Sequence, residues 1–363
     1  MKQFLLLIFS FLAIAACTKT EPIEEEDPDV TEFEIFDIVG QYNMNDGPHD
    51  LAIKGNYVFA CRDDKIFVVD ISDVSNPKLV KTLDDLEKNN IFEGLLVEGN
   101  LLYAACTASS GVYVIDITNP ELPTIANKYL GEIYTGNKLK PLKLFYTNNI
   151  LWAAGSNGTY TMLVKYTVSG NTLAAANYWV LNESGNIAGG VWANANNVFI
   201  STAKGYVYAF TASDIAAGPI DSYTFEAEAG HEHWGKTLTG YNNKLYWADW
   251  GAGFITLNIS DPTNITADAL ITHSSYKAQH TDAEGTNVYD FVINTTTNKI
   301  YVANGWSGLL QIGTSTSNQV EKFVDYKDHQ YFCIEQFGKY VVVGNISGGT
   351  SDYKGLKIIK VQD

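Results

Sequence analysis

The feature that most restricts how this chain can fold is a tight turn joined to a short apolar strand, spelled out seven times. "GNYVFA" (Gly55 to Ala60) returns as "GNLLYA" (Gly99 to Ala104), "NNILWA" (Asn148 to Ala153), "NNVFIS" (Asn196 to Ser201), "NNKLYW" (Asn242 to Trp247), "TNKIYV" (Thr297 to Val302) and "GKYVVV" (Gly338 to Val343). Gly-Asn and Asn-Asn suit the positive φ of a two-residue hairpin turn, and the β-branched and aromatic residues after them suit a strand. Successive copies begin 44, 49, 48, 46, 55 and 41 residues apart, close to the spacing of about 40–50 residues between propeller blades.

Each copy repeats one internal plan. A strand such as "DLAIK", "GLLVE" or "LKLFY" precedes the turn, and a third strand such as "IFVVDIS" or "VYVIDIT" follows the paired one. Copies one, two, five and six add a polar fourth strand ("KLVKTL", "TIANKY", "ITADALI", "QVEKFVDY"). No segment carries a helical period. Four short antiparallel strands per repeat predict an all-β fold, a seven-bladed β-propeller of the WD40/YVTN-like kind. Copy seven runs out at Asp363 before any fourth strand, while an unassigned strand, "FEIFDIVGQYN" (Phe33 to Asn43), precedes copy one. The N-terminal strand is therefore expected to pair with the last blade and close the ring, leaving no open sheet edge at the seam. The propeller is expected to span residues 33–363.

Three phrases carry a further resemblance: "KIFVVDISDVSNPKLV", "GVYVIDITNPELPTI" and "GFITLNISDPTNITA". They resemble the LVIVD repeat of bacterial β-propellers, which implies the same fold and an extracytoplasmic setting but no particular reaction. Asp70, Asp116 and Asn258 hold the same place in the phrase. A short acceptor there can take backbone N–H groups of the following turn, so a structural role is expected.

The N-terminus indicates where such a domain works. "MKQFLLLIFSFLAIAAC" has Lys2 before an apolar run from Phe4 to Ala16, with small residues directly ahead of Cys17. Residues 1–16 read as a signal peptide. The Ile-Ala-Ala-Cys ending resembles a bacterial lipobox, which implies lipidation of Cys17 and partnership with a membrane through that anchor. The acidic, proline-containing stretch over residues 17–32 cannot bury enough apolar surface to fold and reads as a tether. Acid-rich stretches just after the lipidated Cys resemble export signals of Bacteroidetes lipoproteins, implying an outer-membrane lipoprotein facing the periplasm or the cell surface. The other cysteines, Cys61, Cys106 and Cys333, sit in apolar strands and are expected in the core as small hydrophobes. A formal net charge of −17 with only 24 Lys and Arg residues argues against nucleic acid as a partner.

Function has to come from the mouth of the central channel, where loops from all blades meet. Strand order places His49, Asp50, Glu93, Lys143, Lys236, Tyr289, Asp290 and His329 around it as candidate ligand-binding residues. Trp234, Trp250 and Trp306 join them: packing between blades is the favoured role for these rings, and stacking on a sugar or an aromatic ligand is the alternative. His231 and His233 in "GHEHWG" alternate and so point the same way in extended chain, a weak metal signal that lacks a fixed third ligand. No nucleophile elbow or phosphate-binding loop occurs, and no cofactor is expected. The expectation is a lipid-anchored module that binds a glycan, another ligand or a protein. The alternative is a propeller hydrolase or lyase acting on a carbohydrate or lactone, with or without metal assistance, with Asp50, Glu93 or Asp290 as acid and base.

Overall fold

The computed structural model describes residues 36–84, 86, 90–228, 230–279, 287–306, 308–315, 320–323, 330–346 and 354–362. The signal peptide, the tether, Cys17 and His329 lie outside the described residues. Seven antiparallel sheets of four strands follow one another around a ring, a seven-bladed β-propeller. The innermost strands are Asp50–Lys54, Phe92–Glu98, Lys140–Thr147, Ala188–Ala193, Gly235–Tyr241, Asp290–Asn294 and Tyr331–Phe337. Asp37–Asn43 pairs antiparallel with Gly355–Lys360 as the outer strand of blade seven, so the first strand closes the ring on the last sheet.

The turn chemistry works as the sequence indicates. Gly55, Gly99 and Gly338 have φ of 59°, 57° and 56°, and Asn148, Asn149, Asn242 and Asn243 also lie between 52° and 59°. Asn tolerates this left-handed backbone better than other residues with a Cβ. The Asp of the recurring phrase caps its turn. Ser72 N–H donates to Asp70 Oδ1 at 2.8 Å, Thr118 N–H to Asp116 Oδ1 at 2.7 Å, and Ser260 N–H to Asn258 Oδ1 at 3.0 Å.

The second and third strands of each blade are buried on both faces, which explains their nearly unbroken apolar runs. Along Tyr57–Arg62, Phe59 and Cys61 face blade two while Val58 and Ala60 face blade seven. The buried residues form seven clusters, each shared by two neighbouring blades, including one across the seam that joins Met44, Val58 and Ile358. Cys61, Cys106 and Cys333 are free and buried within this core.

Two details differ from the sequence reading. Blades three and four do have fourth strands, Thr172–Leu181 and Asp221–Thr224. Their alternating exposed and half-buried residues pair along only one edge, so little apolar pattern marks them. A short helix, His273–Gln279, also lies between blades five and six, and a single 3₁₀ turn covers Ile215–Ala217. These are connectors too short to show a period.

Candidate ligand site at the channel mouth

The inner strands start with a shared irregularity. Registers shift between Phe92 and Gly94, Pro141 and Lys143, Ala188 and Gly190, Gly235 and Thr237, and Tyr331 and Cys333. One residue is thus squeezed out of each ladder: Glu93, Leu142, Gly189, Lys236 and Phe332. A bulge of this kind re-aims a side chain away from the sheet face. In blades one and six the matching residues, His49 and Tyr289, donate their N–H groups to Cys61 O at 2.8 Å and Ala303 O at 3.0 Å just ahead of the strand. All seven of these residues, one from each blade, line a single cavity of about 240 Å³ together with Lys143, Trp234 and Ile346.

The wall is chemically lopsided. His49 and Glu93 form its polar side: His49 Nδ1 lies 3.6 Å from Glu93 Oε2 and 3.1 Å from Phe92 O. Leu142 and Gly189 follow, then Lys236 with its Nζ 4.7 Å above the Trp234 ring and 5.3 Å above that of Tyr289. Such an arrangement attracts an ammonium to the ring faces. Tyr289 and Phe332 meet at 4.1 Å between ring centroids, and Trp306 packs edge-on against both at 6.5 and 5.9 Å. Trp234 keeps 45% of its surface exposed. This is an amphipathic pocket: aromatic faces and the Lys236 ammonium on one side, the Glu93 carboxylate with the His49 imidazole on the other.

The pKa values of the two lysines at the mouth are shifted in opposite directions. Burial alone would lower the Lys143 pKa, but Asp50, 3.0 Å away, and Asp290 outweigh it and hold the ammonium firmly charged. Lys236 is lowered to about 8, chiefly by burial, with Lys143 adding to the effect and Glu93 and Asp249 opposing it. Lys236 therefore carries a proton that it gives up with unusual ease.

Below the mouth runs a second cavity of about 320 Å³, lined by inner-strand residues of all seven blades. It is the central channel. Asp50 accepts both Lys143 Nζ and the Leu95 N–H of the next blade, the latter at 2.8 Å. Asp290 does the same between blades six and seven, accepting the Ile334 N–H at 3.2 Å and the Thr237 hydroxyl at 2.8 Å. Burial raises the Asp290 pKa. Burial, with Asp290 and Asp50 nearby, pushes Glu335 up to about 8.

Among the candidates named from sequence, His49, Glu93, Lys143, Trp234, Lys236 and Tyr289 come together at the mouth. Asp50 and Asp290 lie one residue deeper, 5% and 7% exposed and engaged as blade-to-blade acceptors. Trp250 is half-buried and donates its N–H to Trp234 O at 3.1 Å, while Trp306 backs the aromatic wall; neither lines the cavity. His231 and His233 do not point to a common place. The His231 ring lies 4.2 Å from His273, whereas His233 sits 3.3 Å from Asp249 and accepts the Ala227 N–H at 3.0 Å. The chain between them is looped, so the alternation of an extended strand does not apply. Among the described residues no group of three or more His, Cys, Asp or Glu side chains is placed to hold a metal.

Leu142, Gly189 and Phe332 escaped the sequence reading. A signal for two of them was available: His49, Glu93, Leu142, Lys236 and Phe332 each stand six residues ahead of the first turn residue, Gly55, Gly99, Asn148, Asn242 and Gly338. Counting back from the turn finds the mouth where residue chemistry does not.

Comparison with known structures supports the architecture. The β-propeller domain of Cps50 (Swd1) from Myceliophteria thermophila superposes with a TM-score of 0.63 at 11% identity, over 91% of this chain and 100% of that one. The WD40 β-propeller domain of Doa1 gives 0.63 at 9% identity over 90% and 98%. Raptor from Chaetomium thermophilum gives 0.65 at 9% identity over 91% of this chain and 29% of that one. At such identities the likeness shows the fold alone. No curated protein matches the sequence. The LVIVD repeat family matches residues 48–85, 93–131 and 241–268, so blades one, two and five are built from that repeat.

Proposed function

We propose that this protein is a binding module which takes its ligand at the mouth of the propeller without transforming it. One observation carries the reading: one residue from every blade converges on the same amphipathic cavity, with the polarity divided between opposite walls. A pocket of that size with exposed Trp234 and the Tyr289–Phe332 pair suits one ring of a glycan or a side chain of a protein partner. The acid–base alternative has less support. Asp50 and Asp290 are committed to backbone N–H groups and to Lys143 or Thr237, which leaves Glu93 facing the mouth without a second carboxylate beside it among the described residues. We further propose that the module works outside the cytoplasm, as a Bacteroidetes-type outer-membrane lipoprotein held by a lipid on Cys17, facing the periplasm or cell surface. The lipobox-like ending before Cys17 and the acidic stretch after it support this setting.

A glycan array probed with the domain from residue 33 onward tests the binding reading. A specific ligand is expected, with binding weakened at least about tenfold by Trp234→Ala, the size of loss seen when an exposed stacking ring is removed. Absence of any Trp234-dependent ligand, or release of product from a bound glycan, would overturn it. Labelling of the full chain with radioactive palmitate, abolished by Cys17→Ser, tests the anchor independently.

A further inference from the structure

Among the described residues, one ammonium in the cavity feels the Glu93 carboxylate across the pocket but makes no direct ion pair. Lys143 holds Asp50 at 3.0 Å, but among the described residues no carboxylate oxygen lies within ion-pair distance of Lys236 Nζ. Lys236 instead rests against the Trp234 and Tyr289 rings. The bulge between Gly235 and Thr237 takes Lys236 out of the ladder, and the residue lines the cavity. A half-buried cation left unpaired beside open space is an incomplete interaction, and a ligand anion completes it.

The opposite wall defines the rest of the ligand. Glu93 and His49 come from blades two and one, which lie across the ring from Lys236 in blade five. The Glu93 carboxylate would repel a second anionic group and needs a donor. Between the two poles stand Tyr289 and Phe332, a flat apolar surface.

Resting on the binding function proposed above, we infer that the mouth recognises a ring carboxylate: the acid group pairs with Lys236, the ring's apolar face lies along Trp234, Tyr289 and Phe332, and hydroxyl donors on its far side meet Glu93. A uronic-acid sugar and a hydroxylated aromatic acid both have this chemistry. The groups facing Lys236 are Glu93, Lys143, His49, Tyr289 and Asp249; burial, with Lys143 adding to it, outweighs the opposing Glu93 and Asp249 and leaves the amine readily deprotonated. Pairing with a carboxylate favours the charged amine, so binding takes up a proton where the free protein has lost it.

The test is calorimetric titration with galacturonate and 4-hydroxybenzoate, each beside its neutral counterpart, galactose and 4-hydroxybenzyl alcohol. At least one acid is expected to bind about tenfold or more tighter than its counterpart, a preference that Lys236→Met removes and Lys236→Arg keeps. Whichever acid binds identifies the source. Buffers of different ionisation enthalpy should report proton uptake at about pH 9 and none at about pH 6. Equal binding of acid and neutral partner, a preference unaffected by Lys236→Met, or no binding of either acid overturns the inference. Trp234-dependent binding of a neutral sugar would, in that event, leave the proposed binding function standing.

Discussion

At the scale of single residues, the channel separates groups that are used up by the fold from groups that are not. Asp50 and Lys143 neutralise one another while Asp50 also ties blade one to blade two; Glu335 has no comparable partner among the described residues. Its folded-state pKa, pushed up to about 8 by burial and the nearby Asp290 and Asp50, lies above the ordinary value of a Glu in an unfolded chain, about 4.3. The unfolded state therefore holds fewer protons between those two limits. Stability contributed by the neutral carboxyl is complete below about pH 4 and is lost as pH rises towards 8. Glu335→Gln should flatten the decline in melting temperature between about pH 5 and pH 8 and leave the protein more stable than wild type at the upper end. The exposed turn carboxylates act in the opposite sense. Asp73, Asp116 and Asp261 are lowered by the hydroxyls of Ser75, Thr118 and Thr263, so their contribution disappears only as pH falls through the acid range.

At the scale of elements, the bulged start of the inner strand in five of the seven blades is what turns a sheet protein into a pocket. The bulge needs the neighbouring strand to come close, and Gly189 shows how close. A Cβ there would meet Gly235 O of blade five at 1.5 Å, backbone against backbone with nothing flexible to give. Gly189→Ala should destabilise by about 3 kcal/mol or more through forced separation of blades four and five. Gly55→Ala makes an instructive contrast. No atom lies within 4 Å of its Cβ position, but φ is +59°, so the cost should be about 1 kcal/mol, from backbone conformation alone. Urea unfolding of both variants measures the difference. The Gly-Asn and Asn-Asn turns were legible in the sequence because a positive φ restricts residue choice. Residue type did not mark the mouth position, which holds His, Glu, Leu, Gly, Lys, Tyr and Phe in turn, because the bulge arises from how one strand meets the next blade; only its distance from the turn recurs, six residues in five of the blades.

For the whole molecule, stability is shared around a circle. Each apolar cluster belongs to two blades, so no blade has a complete core of its own, and a ring with one interface open loses the support of both neighbours. The seam depends on Asp37–Asn43 paired with Gly355–Lys360 and on Phe36 and Met44 in the flanking clusters. Removing residues 33–43 should cost about 3–5 kcal/mol, several hydrogen bonds and a share of two clusters, and expose the edge of Gly355–Lys360 to pairing with other molecules. A lower melting temperature with concentration-dependent aggregation is the expected result. A truncated domain as stable and as monomeric as the full ring would contradict the closure.

What the sequence determined by itself is whatever recurs with each blade: seven copies of one hairpin phrase, apolar strands two and three, and turns whose glycine, asparagine and aspartate answer to local backbone geometry. These follow from interactions a few residues apart, which every copy must satisfy. The assembled ring was needed to show that Lys143 is neutralised while Lys236 is not, and that Trp306 backs the wall rather than facing the cavity. Those outcomes depend on groups brought together from residues as distant as His49 and Ile346, where burial and Coulomb interactions act through space and leave no periodic trace along the chain.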